Sequence, residues 1–344
     1  MKKVLKNISI IAISSLLSLF SLGFTLPGDL SYAAAAETEV YLCGFAAGFE
    51  IKSYGATVLK TTEIVTESGV VSPSENAIAV GDVLLTVGGV DITCADDVNE
   101  GILKAKGGEV VVTILRNGEK LIRNVTPAKD LGGNYKLGLM LKDGTSGIGT
   151  MTFIKKDKTF MALGHPVASD DGSIMNVASG RIYRCSIFGV NKAERNAAGE
   201  LKGMFIGDDP IGKVGGNLEQ GIYGEMNSDY NTENLPLIGI GEATVGKATV
   251  VTCVDGVLPK EYSVSIVKAD DRLESKNLVI KVTDEELLNV AGGIVQGMSG
   301  SPIVQNGKLV GAITHVFIND STRGYGISVE NMLNALSFAE QQAA

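Results

Sequence analysis

Tryptophan is absent from the 344 residues, proline occurs 8 times, and there are 2 histidines, His165 and His315. Any mechanism that needs an imidazole must therefore use one of those two. The four cysteines, Cys43, Cys94, Cys185 and Cys253, are far apart, with no C-x-x-C pair. With so little histidine to assist, a zinc or iron–sulfur site is not expected, and no metal or cofactor is assigned. Basic residues are also short, at 30 Lys and Arg against 39 Asp and Glu, a formal net charge of −9. That balance excludes a dedicated nucleic-acid binder, which needs clustered cations to neutralise phosphates. Hydrophobic residues make up 44%, enough to exclude a wholly disordered chain. Glycine at 43 against so little proline implies tight turns between short strands and argues against a helical bundle. The length suits two domains plus a short extra segment, at roughly 100–200 residues per domain.

The extra segment is the N-terminus, residues 1–36. Lys2, Lys3 and Lys6 precede an uncharged, largely apolar run from Ile8 to about Leu26, and Ser31 to Ala36 is rich in small residues. This is the layout of an export signal, with an A-x-A-like cleavage site near Ala33–Ala36. The run is also nearly long enough to span a bilayer, so the reading is a signal peptide or an N-terminal membrane anchor. Export permits disulfides, and the four cysteines are compatible with two bridges or with four free thiols.

From about Glu39 to Pro127 short strands alternate with turns and one helix. Ala56–Val65 reads as strand, Gly81–Gly89 as turn, strand and tight turn, and Asp96–Lys104 as an amphipathic helix with Val98, Ile102 and Leu103 on one face. Gly107–Val125 reads as a hairpin about Asn117-Gly118. Val80–Leu84, Val87–Val90, the helix and the Glu109–Leu115 strand together resemble a PDZ domain of the bacterial type, over 39–127. Such a domain adds an extended peptide, usually a chain terminus, to a sheet edge beside its helix. Here the terminus-binding loop is expected near Leu42–Phe45 or Gly48-Phe49. Asn76-Ala77-Ile78 departs from the pattern.

Pro127–Gly133 reads as a linker. Beyond it, short strands with glycine-rich turns at Gly149–Ile154, Thr159–Leu163, Ala248–Val254, Glu261–Val267, Leu278–Val282, Pro302–Val304 and Leu309–Ile318 argue for a barrel or sandwich. Glu330–Gln342 reads as a closing helix. The local sequence richest in chemistry is Gly297-Met298-Ser299-Gly300-Ser301-Pro302. Its glycines permit a tight bend that projects the Ser299 hydroxyl and turns the Gly297 and Ser299 N–H groups towards one point. Two such donors stabilise a developing oxyanion, each worth about 2.7–4 kcal/mol. A serine hydroxyl needs a base to take its proton. His165, at a strand end in Ala162-Leu163-Gly164-His165-Pro166, fits that role, whereas His315 is read as packing or lining the substrate pocket. An acid should hold the imidazole. Asp284 and the pair Asp208/Asp209 both suit by spacing, while Asp170 and Asp171 read as loop or cap residues.

Gly147–Phe153, Ala162–His165, Gly199–Gly203, Gly221–Gly224 and the run Gly292–Pro302 through Thr314–Asp320 together resemble the SpoIVB peptidases, the stage IV sporulation protein B family. The resemblance spans nearly the whole chain after the N-terminal segment. It implies a mainly β protein, with a PDZ-like domain followed by a chymotrypsin-like double β-barrel serine peptidase domain over 134–340. Carried onto this sequence, it makes His165 the base, Ser299 the nucleophile and Asp284 the acid. It also implies export across the forespore inner membrane to the intermembrane space and self-cleavage, here expected between the signal and the first strand, about Ala33–Glu39. The implied target is a regulator of an intramembrane protease, whose cutting triggers processing of the late mother-cell sigma factor. Pro166 follows His165 where the family usually has glycine, which stiffens that loop. The competing expectation is a non-catalytic PDZ adaptor with a protease-like second domain.

Overall fold

A computed structural model describes residues 38–169, 172–194 and 196–343. The expected export segment, all but the end of the expected self-cleavage stretch, and Asp170 and Asp171 lie outside them. Among the described residues no helix is long and apolar enough to cross a membrane.

The chain opens with strands β1 (Glu39–Leu42) and β2 (Ala46–Thr61). It then makes an excursion through β3 (Ile64–Thr66), β4 (Gly69–Val71), β5 (Val83–Val87), β6 (Val90–Asp91), helix α1 (Asp97–Lys104), β7 (Val110–Arg116), β8 (Glu119–Val125), β9 (Ala128–Lys129) and β10 (Tyr135–Lys136). It returns along β11 (Leu139–Ile154). β2 and β11 are both 16 residues long and pair with each other through two different sheets. Their outer halves, with Leu141 opposite Val58, join β5, β7 and β8. Their inner halves, with Ile148 opposite Gly48, belong to a barrel. The register shifts between Lys142 and Gly144, where a Cβ on Gly144 would stand 2.5 Å from the Ile51 carbonyl oxygen. A glycine bulge lets one strand bend out of one sheet into the next.

The excursion is thus an inserted subdomain with its own core, in which Val98 and Ile102 of α1 meet Leu84, Val87, Val112 and Ile114. Leu103, grouped with them by periodicity, is 66% exposed. The Asn117-Gly118 hairpin forms as expected, both residues at positive φ. Three expectations need correction. Residues 39–53 are not part of the subdomain but wall strands of the barrel that follows. Leu42–Phe45 and Gly48-Phe49 are not a terminus-binding loop, since Cys43 and Phe49 are buried in that barrel's core and the Gly44 N–H bonds the Met151 carbonyl. Pro127–Gly133 is not a linker between domains, because Ala128 and Lys129 pair with Lys136 and Tyr135 inside the insert. The buried alternation along β2 changes phase across Ser53–Gly55, from Phe49 and Ile51 to Ala56 and Val58, where the strand passes from one sheet to the other.

After β11 come β12 (Thr159–Ala162), β13 (Val177–Asn191), β14 (Glu200–Ile206), β15 (Gly212–Leu218), β16 (Gly221–Met226) and β17 (Leu237–Gly239). Pairings run β2–β11–β12–β16–β15–β13 and back to β2, closing a six-stranded antiparallel barrel. Phe49, Ile51, Met151, Phe160 and Ile182 fill it. The outer half of β13 leaves the barrel as a hairpin with β14.

The second barrel comprises β18 (Gly246–Thr252), β19 (Lys260–Ala269), β20 (Leu278–Val282), β21 (Pro302–Gln305), β22 (Lys308–Phe317) and β23 (Asp320–Ser328), with helix α2 (Glu285–Ala291) between β20 and β21. It closes in the order β18–β19–β20–β23–β22–β21. Every second residue of β19, Tyr262, Val264 and Ile266, points into a core shared with Ile280, Val282, Ile303 and Ile313. Helix α3 (Val329–Ala343) covers β22 and β23 and buries Val329, Met332 and Leu336. Two packed antiparallel six-stranded barrels are the chymotrypsin-like architecture.

Candidate active site

His165 comes from the first barrel. At the end of β12 the Gly164 N–H bonds back to the Ala162 carbonyl at 2.8 Å, with Leu163 between them at φ +67°. This is the strained form of the γ-turn, which costs a residue with a side chain about 1–3 kcal/mol. The turn is held because the Leu163 side chain is buried in the barrel core and its N–H bonds the Thr150 carbonyl. It releases His165 sideways, out of the barrel. The imidazole Nδ1 lies 2.8 Å from the Pro166 carbonyl oxygen. A carbonyl can only accept, so Nδ1 carries the proton and Nε2 keeps its lone pair.

Ser299 comes from the second barrel. Helix α2 ends on Gly292 at φ +75°, and the following loop is fixed at almost every carbonyl. Thr150 Oγ1 donates to the Gly297 carbonyl at 2.8 Å, the Thr150 N–H to the Ser299 carbonyl at 2.9 Å, and Thr152 Oγ1 to the Gly300 carbonyl at 2.8 Å. Both threonines lie on β11 of the opposite barrel and are fully buried. Ser301 Oγ donates to the Met298 carbonyl at 2.6 Å, closing the turn from inside. Gly300 sits at φ +93°, and a Cβ there would stand 2.1 Å from the Thr150 carbonyl oxygen and 2.5 Å from the Leu163 nitrogen. The loop therefore touches the strand and the γ-turn that carry His165. With the carbonyls engaged, the N–H groups of Gly297 and Ser299 donate to no protein acceptor among the described residues. They are the two donors expected of an oxyanion hole. The Ser299 hydroxyl itself donates to the Thr314 carbonyl at 2.6 Å.

These groups face one cleft of about 670 Å³ at the seam of the barrels. His165, Ser299, Gly297 and His315 all line it, and among the described residues no Asp, Glu, Lys or Arg does. The imidazoles of His165 and His315 have ring centres 4.5 Å apart, tilted by 42°. Burial holds the His165 pKa below the ordinary imidazole value against the opposing bond to Pro166, and Lys276 adds a smaller push downward. Burial, then the neighbouring His165, brings His315 down to about 4. Among the described residues His315 Nδ1 is buried without a hydrogen-bond partner.

The structure does not bring Asp284 to this cluster. Asp284 is the N-cap of α2, with Oδ1 accepting from the Leu287 N–H and Oδ2 from the Ser263 N–H, both at 3.1 Å. Its expected role as the acid on His165 is corrected accordingly, since the partner of Nδ1 is the Pro166 carbonyl. The Thr-Asp-Glu-Glu stretch opening a helix is an N-cap sequence in its own right, and the cap claims both carboxylate oxygens. Asp208 and Asp209 lie in the exposed turn between β14 and β15 and do not line the cleft. All four cysteines are free thiols, and burial raises the pKa values of Cys43, Cys185 and Cys253. Thr150 and Thr152 escaped notice as positioning residues. Their signal is a pair of polar residues two apart on the inward face of an otherwise apolar strand.

The profile of the SpoIVB peptidase S55 family matches residues 133–333, more than half of the chain. The chain belongs to the SpoIVB peptidase S55 family. It is accordingly a serine peptidase. A search of curated proteins found no match. Among solved structures, the Rv3671c protease from M. tuberculosis is similar in its active form, at 16% identity and TM-score 0.35, covering 56% of this chain and 74% of that one. Its inactive form is similar at 14% identity and TM-score 0.33, covering 55% and 83%. The S55 match begins within the last hairpin of the inserted subdomain, so β1 and the barrel strand β2 precede the matched segment.

Proposed function

We propose that this S55 peptidase cuts peptide bonds with Ser299 as nucleophile, His165 as general base and the Gly297 and Ser299 amides as oxyanion hole. The observation that carries the reading is the convergence of those four groups on one cleft, with both amides undonated and the base in the tautomer that leaves Nε2 free. On substrate binding the Ser299 hydroxyl turns from the Thr314 carbonyl to His165 Nε2, and catalytic contacts of this kind commonly tighten only with substrate present. His165 takes the proton as Oγ attacks the carbonyl carbon, the oxyanion forms against the two amides, and the imidazolium returns the proton to the leaving amine. Water activated by the same ring then hydrolyses the acyl-enzyme. Nδ1 is oriented by the Pro166 carbonyl, a neutral acceptor that stabilises the imidazolium less than a carboxylate does. A slow enzyme suits a protein that cuts itself and one regulator.

The cleft wall beside Ser299 is formed by Ile148, Ala198, Ile294, Val295 and Val316. A charged side chain would lose its hydration there without a partner. The residue on the acyl side of the cut bond is therefore small or medium and apolar. In the cell, the reading is a sporulation peptidase exported from the forespore into the intermembrane space. There it cleaves itself and a regulator of an intramembrane protease, while the inserted PDZ-like subdomain binds a chain terminus. Family membership and the export-type N-terminal sequence support this role. The test follows the purified full chain by intact mass over time beside Ser299→Ala. Fragments in the wild type alone, ending in apolar residues, are expected. Equal fragmentation of both chains, or cuts after charged residues, would contradict the reading.

A further inference from the structure

The His165–His315 pair offers more than a base and its neighbour. The chain has no other histidine, yet the two meet across the seam in one cleft with ring centres 4.5 Å apart. Each ring keeps a nitrogen that no hydrogen bond among the described residues engages. His165 uses Nδ1 on the Pro166 carbonyl and keeps the Nε2 lone pair. Among the described residues His315 Nδ1 is buried with no hydrogen-bond partner, and an unpaired buried nitrogen is costly unless something occupies it. Among the described residues no carboxylate lines the cleft to compete for either ring.

We infer that His165 and His315 form a binding site for a borderline transition-metal cation, zinc above all, whose occupation shuts off the peptidase. Imidazole suits zinc, copper and nickel, whereas magnesium and calcium demand oxygen ligands. Zinc–nitrogen bonds of about 2.0–2.1 Å in tetrahedral geometry put the centres of two ligating imidazoles about 5 Å apart. The present separation of 4.5 Å is close to that spacing. The remaining positions fall to water and to the adjacent Ser299 hydroxyl. This differs from the closed structural site that the scattered cysteines fail to make. The site is open. A metal there occupies the Nε2 lone pair that must receive the Ser299 proton. The binding half of the inference rests on the pair's geometry alone, and the inhibitory half on the reading of His165 as base.

The test titrates zinc chloride into the full chain at neutral pH, following heat of binding and, separately, the rate at which a fluorophosphonate labels Ser299. One zinc per chain is expected, with labelling slowed and then restored by chelator, and no effect of magnesium. Against each variant's own metal-free rate, His315→Asn and His315→Gln raise the zinc needed for half-inhibition by about tenfold or more. Copper(II) on the wild type gives a check that needs no variant, through the magnetic-resonance signature of two imidazole nitrogens. Failure of zinc to bind, a signature of fewer than two nitrogens, or unchanged inhibition in both variants would overturn the site. Zinc that binds through both rings without slowing labelling would overturn the inhibition and count against His165 as base.

Discussion

At the scale of single residues, desolvation governs the site. Burial penalises the imidazolium at His165 more than the Pro166 carbonyl favours it, so the ring loses its proton below the ordinary value of about 6.5. Labelling of Ser299 should rise with pH as His165 deprotonates, with a midpoint under that value. A midpoint at or above it would mean that an unseen anion supports the imidazolium. His315, at about 4, stays neutral across the same range. Because its folded pKa is depressed, its contribution to stability is present above the unfolded value and lost as pH falls from about 6.5 towards 4. Thermal stability should therefore decline through that window, and less steeply in His315→Asn. Asp284 poses the sharper question. Asparagine can accept from one of the two N–H groups but turns its amide NH2 towards the other, so Asp284→Asn should lose part of the cap's stability and still label near the wild-type rate. Asp284→Ala should lose about 0.5–2 kcal/mol of stability. A triad acid would behave otherwise, since its amide variant loses about 10⁴ in kcat. A drop of that size in a folded Asp284→Asn protein would contradict the assignment. Ser299 and His165 were legible as types because serine in a glycine bend and histidine at a strand end are local patterns. The same local pattern misdirects at Asp284, where position relative to serine says nothing about which helix end consumes the carboxylate.

At the scale of elements, the nucleophile loop is a bridge between barrels. Thr150 and Thr152 reach it from β11, and Gly300 is where it passes closest. Gly300→Ala pushes a methyl group into the Thr150 carbonyl at a backbone angle that alanine resists. The loop must then retreat from the γ-turn that aims His165. The expected outcome is a loss of about 3 kcal/mol or more in unfolding free energy and loss of labelling in whatever remains folded. Labelling at the wild-type rate would show that the contact does not set the geometry. The elements themselves were unevenly legible. Leu278–Val282 and Leu309–Ile318 declare themselves by β-branched alternation. Strands β13, β15 and β16 do not, because Gly180, Gly189, Gly215, Gly216 and Gly224 interrupt the apolar pattern, Gly216 under the Tyr223 ring and Gly224 against the Lys213 carbonyl. The helices at Asp97–Lys104 and Val329–Ala343 lie where periodicity puts them, within a residue or so.

At the scale of the molecule, the first barrel is assembled from segments on both sides of an excursion of about ninety residues. Its inserted subdomain hangs on two strands that also carry the site: β11 runs from the insert, past its glycine bulge, to Thr150 and Thr152. A linear division into one domain followed by another hid this, since sequence shows which stretches are strands but not which sheet closes around them. The central claim is that Ser299, served by His165 across the seam of two barrels, is the nucleophile. Its most direct test is to react the full chain with a fluorophosphonate and map the adduct by peptide mass. The account predicts a single adduct on Ser299, absent in Ser299→Ala and formed about 10²–10⁴-fold more slowly in His165→Ala. An adduct on another serine, or labelling of His165→Ala at the wild-type rate, would contradict it.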